Sequence, residues 1–196
     1  METFAIIMAK KFGFELEVVS TLGANFPKPN KQRLDAFEKS KNIKLPIAYR
    51  NFVSSLGAGE LNGYVRVHAP NSPSLDLFQL NDISTSAETT LTSYLAFADT
   101  VGGDLFLWES SSQGEGISEY PVYFLPKESS KIVKFAPTFQ TFIELVCDGH
   151  RLGISAGRRY QPFGKKPRKS QVDKLIRERM MALYNTAGKQ KTKKDK

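Results

Sequence analysis

Cysteine is almost absent from this 196-residue sequence, and long apolar runs are missing. Cys147 is the only cysteine, so an intramolecular disulfide is excluded, which favours a reducing compartment. No segment approaches the roughly 20 consecutive apolar residues that a membrane-spanning helix needs. The short apolar run near Met1 has no basic residue before it, which is atypical of a secretion signal. We therefore expect a cytoplasmic protein with no membrane partner.

Histidine is also scarce, which limits the metal and catalytic sites that the chain offers. Cys147 and His150 have a spacing that suits metal ligands on one helix face, but Gly149 between them is typical of a helix end. A Cys147 nucleophile with His68 as its base is the catalytic alternative. The structural alternative is a packed thiol and an exposed imidazole at a helix terminus. We favour the structural alternative and expect no metal, no cofactor and no enzymatic activity.

Phosphate-binding loops are not evident either. The segment 57–63 (GAGELNG) loosely resembles a dinucleotide-binding loop, but its third glycine falls one position late. It also ends a predicted helix, whereas such a loop opens a helix after a strand. We interpret it as a helix end followed by a turn.

Charge is distributed unevenly along the chain. Residues 1–150 carry 13 basic and 17 acidic side chains, a net −4, whereas residues 151–196 carry 15 basic and 3 acidic side chains, a net +12. A mildly acidic body therefore precedes a strongly basic extension. This asymmetry indicates either an anionic partner for the extension or packing of the extension against an acidic face.

Hydrophobic periodicity predicts an α+β fold, in which helices and a meander of strands are followed by a basic C-terminal helical extension. Helices are predicted at 31–41, with Asn30 as N-cap, at 45–56, with Pro46 in the first turn, and at 138–148. A segment at 14–19 is predicted as an edge strand or an arm, and further strands are predicted at 64–67, 94–98, 104–109, 122–125 and 132–135.

The same patterns divide the chain into four parts. Residues 1–149 are predicted to form the folded domain, and residues 150–170 a basic linker that contains glycine and proline. Residues 171–187 are predicted to form an amphipathic helix that packs on the domain or on a partner, and residues 188–196 a disordered basic tail. The apolar stripe of that helix comprises Val172, Leu175, Ile176, Met180 and Leu183.

Several short motifs resemble the SUKH superfamily, the bacterial immunity proteins related to the fungal Smi/Knr cell-wall assembly regulators. The segment 43–52 (IKLPIAYRNF) resembles the family's opening, and 94–98 (YLAFA) before 103–106 (GDLF) resembles its central hairpin. The segments 121–124 (PVYF) and 136–142 (APTFQTF) resemble the strand and last helix that follow. The glycine turn departs from the family pattern, since 56–59 reads LGAG where Asn-Gly-Gly is usual. The resemblance implies a mixed, mostly antiparallel sheet that is flanked by helices, in a domain that binds another protein.

Two charged groups are candidate binding sites. The first is an acidic rim that would meet a basic partner surface, the alternative being solvated loop charges. Its members are Asp99, Asp104, Glu109, Glu115 and Glu119. The second is an anion-binding group in the basic extension, the alternative being a solvated linker. Its members are Arg158, Arg159, Lys165, Lys166, Arg168 and Lys169.

These observations predict a non-catalytic protein-binding module. The resemblance implies an immunity protein that neutralises a cognate, nuclease-type polymorphic toxin by occlusion. Two alternatives remain open: a protein that associates with nucleic acid through its basic extension, and a regulatory scaffold like the fungal relatives.

Overall fold

A computed structural model describes residues 4–9, 16–21, 26–81, 93–109, 118–129 and 131–163. Its helices are α1 (Lys31–Lys41), α2 (Ile47–Leu56) and α3 (Phe139–Asp148), with a short 3-10 turn at His150–Leu152. Its strands are β1 (Phe4–Ala9), β2 (Leu16–Thr21), β3 (Gly59–Leu61), β4 (Val65–Val67), β5 (Tyr94–Thr100), β6 (Leu105–Glu109), β7 (Val122–Leu125), β8 (Val133–Ala136) and β9 (Arg159–Pro162).

These strands form one sheet in the order β1-β2-β9-β3-β4-β5-β6-β7-β8. Every neighbouring pair is antiparallel except β2 and β9, which run parallel. The predicted α+β class and mixed, mostly antiparallel sheet are therefore confirmed. The β5–β6 hairpin turns at Gly102-Gly103, and Gly103 adopts a positive φ of 95°, which favours glycine.

The C-terminal end of the folded region lies further along the chain than the sequence analysis placed it. Residues 150–163 were assigned to a linker, but β9 is inserted between β2 and β3 in the interior of the sheet. The physical reason is Tyr160, whose ring is fully buried and whose hydroxyl donates a 2.8 Å hydrogen bond to the carbonyl of Gly57. One aromatic residue among glycines and arginines is a weak sequence signal, so this strand was missed. The predicted helix 171–187 and tail 188–196 lie outside the described residues.

The N-terminal region also differs from expectation. The segment 14–19 was predicted as an edge strand or an arm, but β2 pairs on both sides, with β1 and with β9. β1 arises from the apolar run 4–9 that had been assigned no strand. It is β1 that occupies the edge of the sheet.

The helix termini follow the local sequence. The Asn30 side chain accepts a hydrogen bond from the amide of Arg33 at 3.0 Å, which confirms it as the N-cap of α1. Thr138 caps α3 in the same way, and Gly149 ends α3 with a φ of 76°. Among the described residues, no helix is long and apolar enough to cross a membrane.

An aromatic core fills the space between the sheet and the helices. Tyr49 of α2 makes edge contacts with Trp108 at 4.9 Å and with Phe139 at 5.5 Å between ring centroids. Trp108 stacks on Phe97 at 4.0 Å and is 2% exposed, which places it in the core. We call the sheet face on this side the inner face and the opposite one the outer face.

Candidate functional site: a charged cleft on the outer face

Successive side chains of a strand point to opposite faces of the sheet, and this alternation identifies the residues on the outer face. Tyr160, Leu61 and Val65 belong to the buried inner cluster, so their strand neighbours point the other way. The pairing register aligns these neighbours across the sheet in a single row: Gln161, Glu60, Arg66, Asp99, Leu105 and Leu125. The outer face therefore has a polar half, on β9 to β5, and an apolar half, on β6 and β7.

A cleft of about 420 Å³ lies where the two halves meet. Arg66, His68 and Asp99 line it from the sheet, and residues 74–76, 79 and 80 close it from the side. The Asn81 side chain holds this second wall in place. It bonds both the amide and the carbonyl of Ala96 at 2.9 Å, next to a β-bulge between Ala96 and Ala98.

The cleft's charged groups are bonded to one another. Arg66 Nε donates to Asp99 Oδ1 at 3.0 Å, and Arg66 Nη2 donates to Asp99 Oδ2, in a bidentate pair. His68 Nε2 lies 2.9 Å from Asp99 Oδ1. The Asp99 side chain is 12% exposed and that of Arg66 33% exposed. Asp99 is therefore a nearly buried carboxylate that holds two other side chains of the cleft in fixed positions.

A histidine oriented by a carboxylate is also the arrangement of an activated catalytic base. Such a base needs its second nitrogen bonded to a nucleophile. His68 Nδ1 is buried and has no hydrogen-bond partner among the described residues. Ser74, the hydroxyl residue of the cleft wall, is exposed. The cleft's charges are therefore held in fixed positions, and among the described residues no nucleophile is bonded to the histidine.

The predicted acidic rim is dispersed over the structure. Asp104 accepts hydrogen bonds from the Thr100 hydroxyl at 2.7 Å and from the Lys127 amide at 3.0 Å, both around the β5–β6 turn. Asp99 lies at that same end of the hairpin, whereas Glu109 pairs with Tyr94 at the opposite end. The strand between these ends is about 17 Å long. Glu115 lies outside the described residues.

Glu119 is a helix cap in the structure. Pro46 precedes α2 and offers no side-chain acceptor, and Glu119 Oε1 instead accepts the amide of Ala48 at 2.7 Å. The carboxylate also suits the positive end of the helix dipole. Since the two residues are 71 positions apart, no local pattern could identify this cap.

We expect Glu119→Ala to lower the free energy of unfolding by about 1 kcal/mol, because it leaves an amide at the start of α2 unpaired. Glu119→Gln keeps an oxygen acceptor and is expected to cost less. Urea denaturation of both variants measures the difference. Equal losses would contradict the capping role.

The basic candidates are only partly described. Arg158 and Arg159 are both exposed, and the amide of Arg159 donates to Asn62 Oδ1 at 3.0 Å. Arg159 begins β9 and lies on the outer face by alternation with Tyr160, whereas Arg158 precedes β9 and lies on the side of the sheet that carries Cys147. Lys165, Lys166, Arg168 and Lys169 lie outside the described residues, so anion binding by this group stays a prediction.

In the structure Cys147 is a packed thiol and His150 is an exposed imidazole at a helix end. Cys147 is 7% exposed in the core cluster, and His150 is exposed after the Gly149 helix end. Among the described ranges, no group of three His, Cys, Asp or Glu side chains is arranged to hold a metal ion. Burial raises the pKa of the Cys147 thiol to about 11.

We expect native Cys147 to react with a thiol reagent at pH 8 about 100-fold or more slowly than the unfolded chain. At that pH a thiol with a pKa of about 11 is about 0.1% ionised, whereas one with a pKa near 8.5 is roughly a quarter ionised. The measurement compares alkylation rates in buffer and in denaturant. Similar rates would show that the thiol is accessible in the native protein.

Arg66 is the site residue that sequence reasoning missed, and His68 was considered only as a partner for Cys147. The available signal was the alternation in 65–68 (VRVH), which puts Arg66 and His68 on the same strand face. Their partner Asp99 lies 33 positions from Arg66 and 31 from His68, so the cluster itself could not be predicted.

The model of the SMI1 / KNR4 family (SUKH-1) matches residues 28–145. The matched range runs from just before α1 into α3, and includes β3 to β8 and the whole charged cleft. No curated protein and no solved structure matches this chain. Strands β1, β2 and β9 lie outside the matched range.

Proposed function

Because this chain belongs to the SMI1/KNR4 family (SUKH-1), we propose that it is a non-catalytic protein-binding module. Its most concrete form is an immunity protein that neutralises a cognate, nuclease-type toxin by covering the toxin's active surface. The observation that carries the proposal is the family match over residues 28–145, which spans most of the folded region.

The charged cleft supports a binding role over a catalytic one. Arg66 and His68 are both bonded to Asp99, so these three side chains form a rigid polar surface. Apolar walls from Leu75, Leu80 and Leu105 surround these charges. Fixed polar groups beside apolar surface are typical of protein recognition sites.

The direct test is protection from a toxin encoded next to this protein. Co-expression should restore growth, and the purified pair should form a stable complex with loss of the toxin's nuclease activity. If the protein neither binds nor protects against that neighbour, the immunity function is wrong.

The cleft's part in this function is tested with two exposed wall residues. Ser74→Arg with Gln79→Arg adds bulk and charge at the mouth without touching the core, and should weaken partner binding at least about tenfold, since interfaces tolerate new charge poorly. Gln140→Arg, on the exposed side of α3, is the matched control and should leave affinity unchanged. Equal affinities for all three proteins would place the interface elsewhere.

A second candidate function is nucleic-acid binding through the basic extension. It is supported by the net +12 on residues 151–196 and by the exposed Arg158 and Arg159. Binding to duplex DNA or RNA should then fall steeply with salt, by a logarithmic slope of about 0.9 per neutralised phosphate. Replacing the four basic residues at 165, 166, 168 and 169 with glutamine should reduce that slope. An unchanged slope would exclude these residues as phosphate contacts.

The regulatory-scaffold alternative differs in its partners. Affinity purification from the native host should then recover several unrelated proteins and no neighbouring toxin. Recovery of a single toxin would reject the scaffold function.

A further inference from the structure

The apolar half of the outer face is buried more deeply than its own strands explain. Leu107 and Ala96 are each 1% exposed, and Leu125 is 6% exposed. Side chains that rise from a sheet face remain in contact with water unless another layer lies over them. Leu107 and Ala96 therefore require a covering layer.

The described residues supply little of that layer. The cluster consists of the buried Leu80, Ala96, Leu107 and Leu125, with Tyr94, Leu105, Tyr123 and Ile132 packed against them. All but Leu80 and Ile132 belong to strands β5, β6 and β7 and form the surface itself. We call this cluster the outer apolar surface.

We propose that the amphipathic stripe of residues 171–187 docks on the outer apolar surface and completes a helix–sheet–helix sandwich. The occupant is thus a segment of this same chain, whose stripe is Val172, Leu175, Ile176, Met180 and Leu183. This inference does not depend on the proposed toxin-binding function.

The dimensions of the two surfaces agree. From Val172 to Leu183 a helix rises about 16 Å. The strands of the outer apolar surface are β5, β6 and β7, which are two strand spacings or about 10 Å across. A stripe of this length therefore covers the surface from one side to the other.

The chain is also long enough to reach the surface. The described residues end at Phe163, directly after β9, and β6 lies four strand spacings away, about 19 Å. Residues 164–171 span up to about 27 Å when extended. Their glycine and proline content suits a connection that crosses the polar half of the outer face.

Docking leaves two of the three basic residues of the helix in solvent. On a helix 171–187, Lys174 and Arg177 lie away from the stripe, whereas Arg179 falls within it and would have to extend its charged end to the edge of the surface. The same placement carries the basic segment 164–169 past the cleft that contains Asp76 and Asp99.

The experiment uses the full chain with Leu175→Asp and Ile176→Asp together, and hydroxyl-radical footprinting of tyrosines. Tyr94 and Tyr123 lie half-buried in the outer apolar surface, whereas Tyr49 and Tyr160 are buried on the inner side. We expect modification of Tyr94 and Tyr123 to rise severalfold, with Tyr49 and Tyr160 unchanged as internal controls. The melting temperature should fall by about 5 °C, since a docked helix contributes to stability.

The matched control is Met181→Asp with Asn185→Asp, which adds the same charge on the opposite side of the helix. In this control the modification of Tyr94 and Tyr123 and the melting temperature should equal those of the unaltered protein. Equal effects of both pairs, or no effect of the stripe pair, would overturn the proposal.

Two other occupants are separate outcomes of the same test. If Ile83→Asp with Leu91→Asp exposes Tyr94 and Tyr123 while the stripe pair does not, the segment 82–92 covers the surface and the proposal is wrong. If dilution of the unaltered protein exposes both tyrosines, a second copy of the chain covers it, which equally overturns docking in cis.

Discussion

Replacing Tyr160 with alanine is expected to lower the free energy of unfolding by about 3–5 kcal/mol, as for other large buried aromatic residues. Tyr160 is fully buried, and its ring meets that of Phe52 at 5.1 Å. A domain of this size is stable by only about 5–15 kcal/mol, so the variant should be close to unfolding at 37 °C. Urea denaturation followed by circular dichroism measures the loss.

Two further substitutions in β9 separate the contribution of the Tyr160 ring to stability from that of its hydrogen bond. Tyr160→Phe keeps the ring and removes the hydrogen bond to Gly57, so it should cost about 1 kcal/mol. Burial raises the pKa of this hydroxyl, which keeps it protonated and able to donate. Gln161→Ala changes an exposed side chain of β9 and should cost little. If Tyr160→Ala were no worse than Gln161→Ala, β9 would not belong to the stable sheet.

Asp99→Ala is expected to lower the free energy of unfolding by roughly 2–4 kcal/mol. Asp99 is the common acceptor for Arg66 and His68, so its removal leaves a buried imidazole without its bond. The partly buried guanidinium loses its carboxylate partner and keeps its bond to the Thr100 carbonyl. The estimate lies below that for a fully buried pair, because the Arg66 side chain is one-third exposed and water compensates in part. Chemical denaturation of the full chain provides the measurement.

Asp35→Ala is the matched control for Asp99→Ala. Asp35 also pairs with an arginine, Arg50, at 2.7 Å, but its side chain is 48% exposed. Asp35→Ala should lower the free energy of unfolding by no more than about 1 kcal/mol. The double variant Arg66→Ala with Asp99→Ala should lose less than the sum of its single variants, because removing both charges leaves neither unpaired. Additive losses would show that the two side chains do not interact.

The sequence was sufficient to predict the elements that local patterns define. The helix 31–41 begins at an asparagine cap, and α3 has Phe139, Phe142 and Ile143 at helical spacing, so both are found in the structure where they were predicted. The strands of the meander, β5 to β8, alternate apolar residues between clear turns. The family resemblance through residues 43–52 was confirmed by the family match.

The remaining elements depend on partners that are distant in sequence. β3 and β9 consist of three and four residues, which is too short for a periodic signal. Asn62-Gly63 did offer a hairpin signal for β3 and β4, since both residues adopt positive φ, and it was overlooked. The charged cleft could not be predicted for the same reason, because its two walls come from separate segments that only the fold brings together.

The position of β9 affects how the sheet folds during synthesis of the chain. During synthesis the N-terminal residues emerge first. The β1–β2 hairpin has its interior neighbour only when residues 159–162 are available, some 140 positions later. Until then β2 and β3 each present an unpaired edge, and β2 carries Leu16, Val18 and Val19. Folding of the sheet is therefore completed only after β9 has been synthesised.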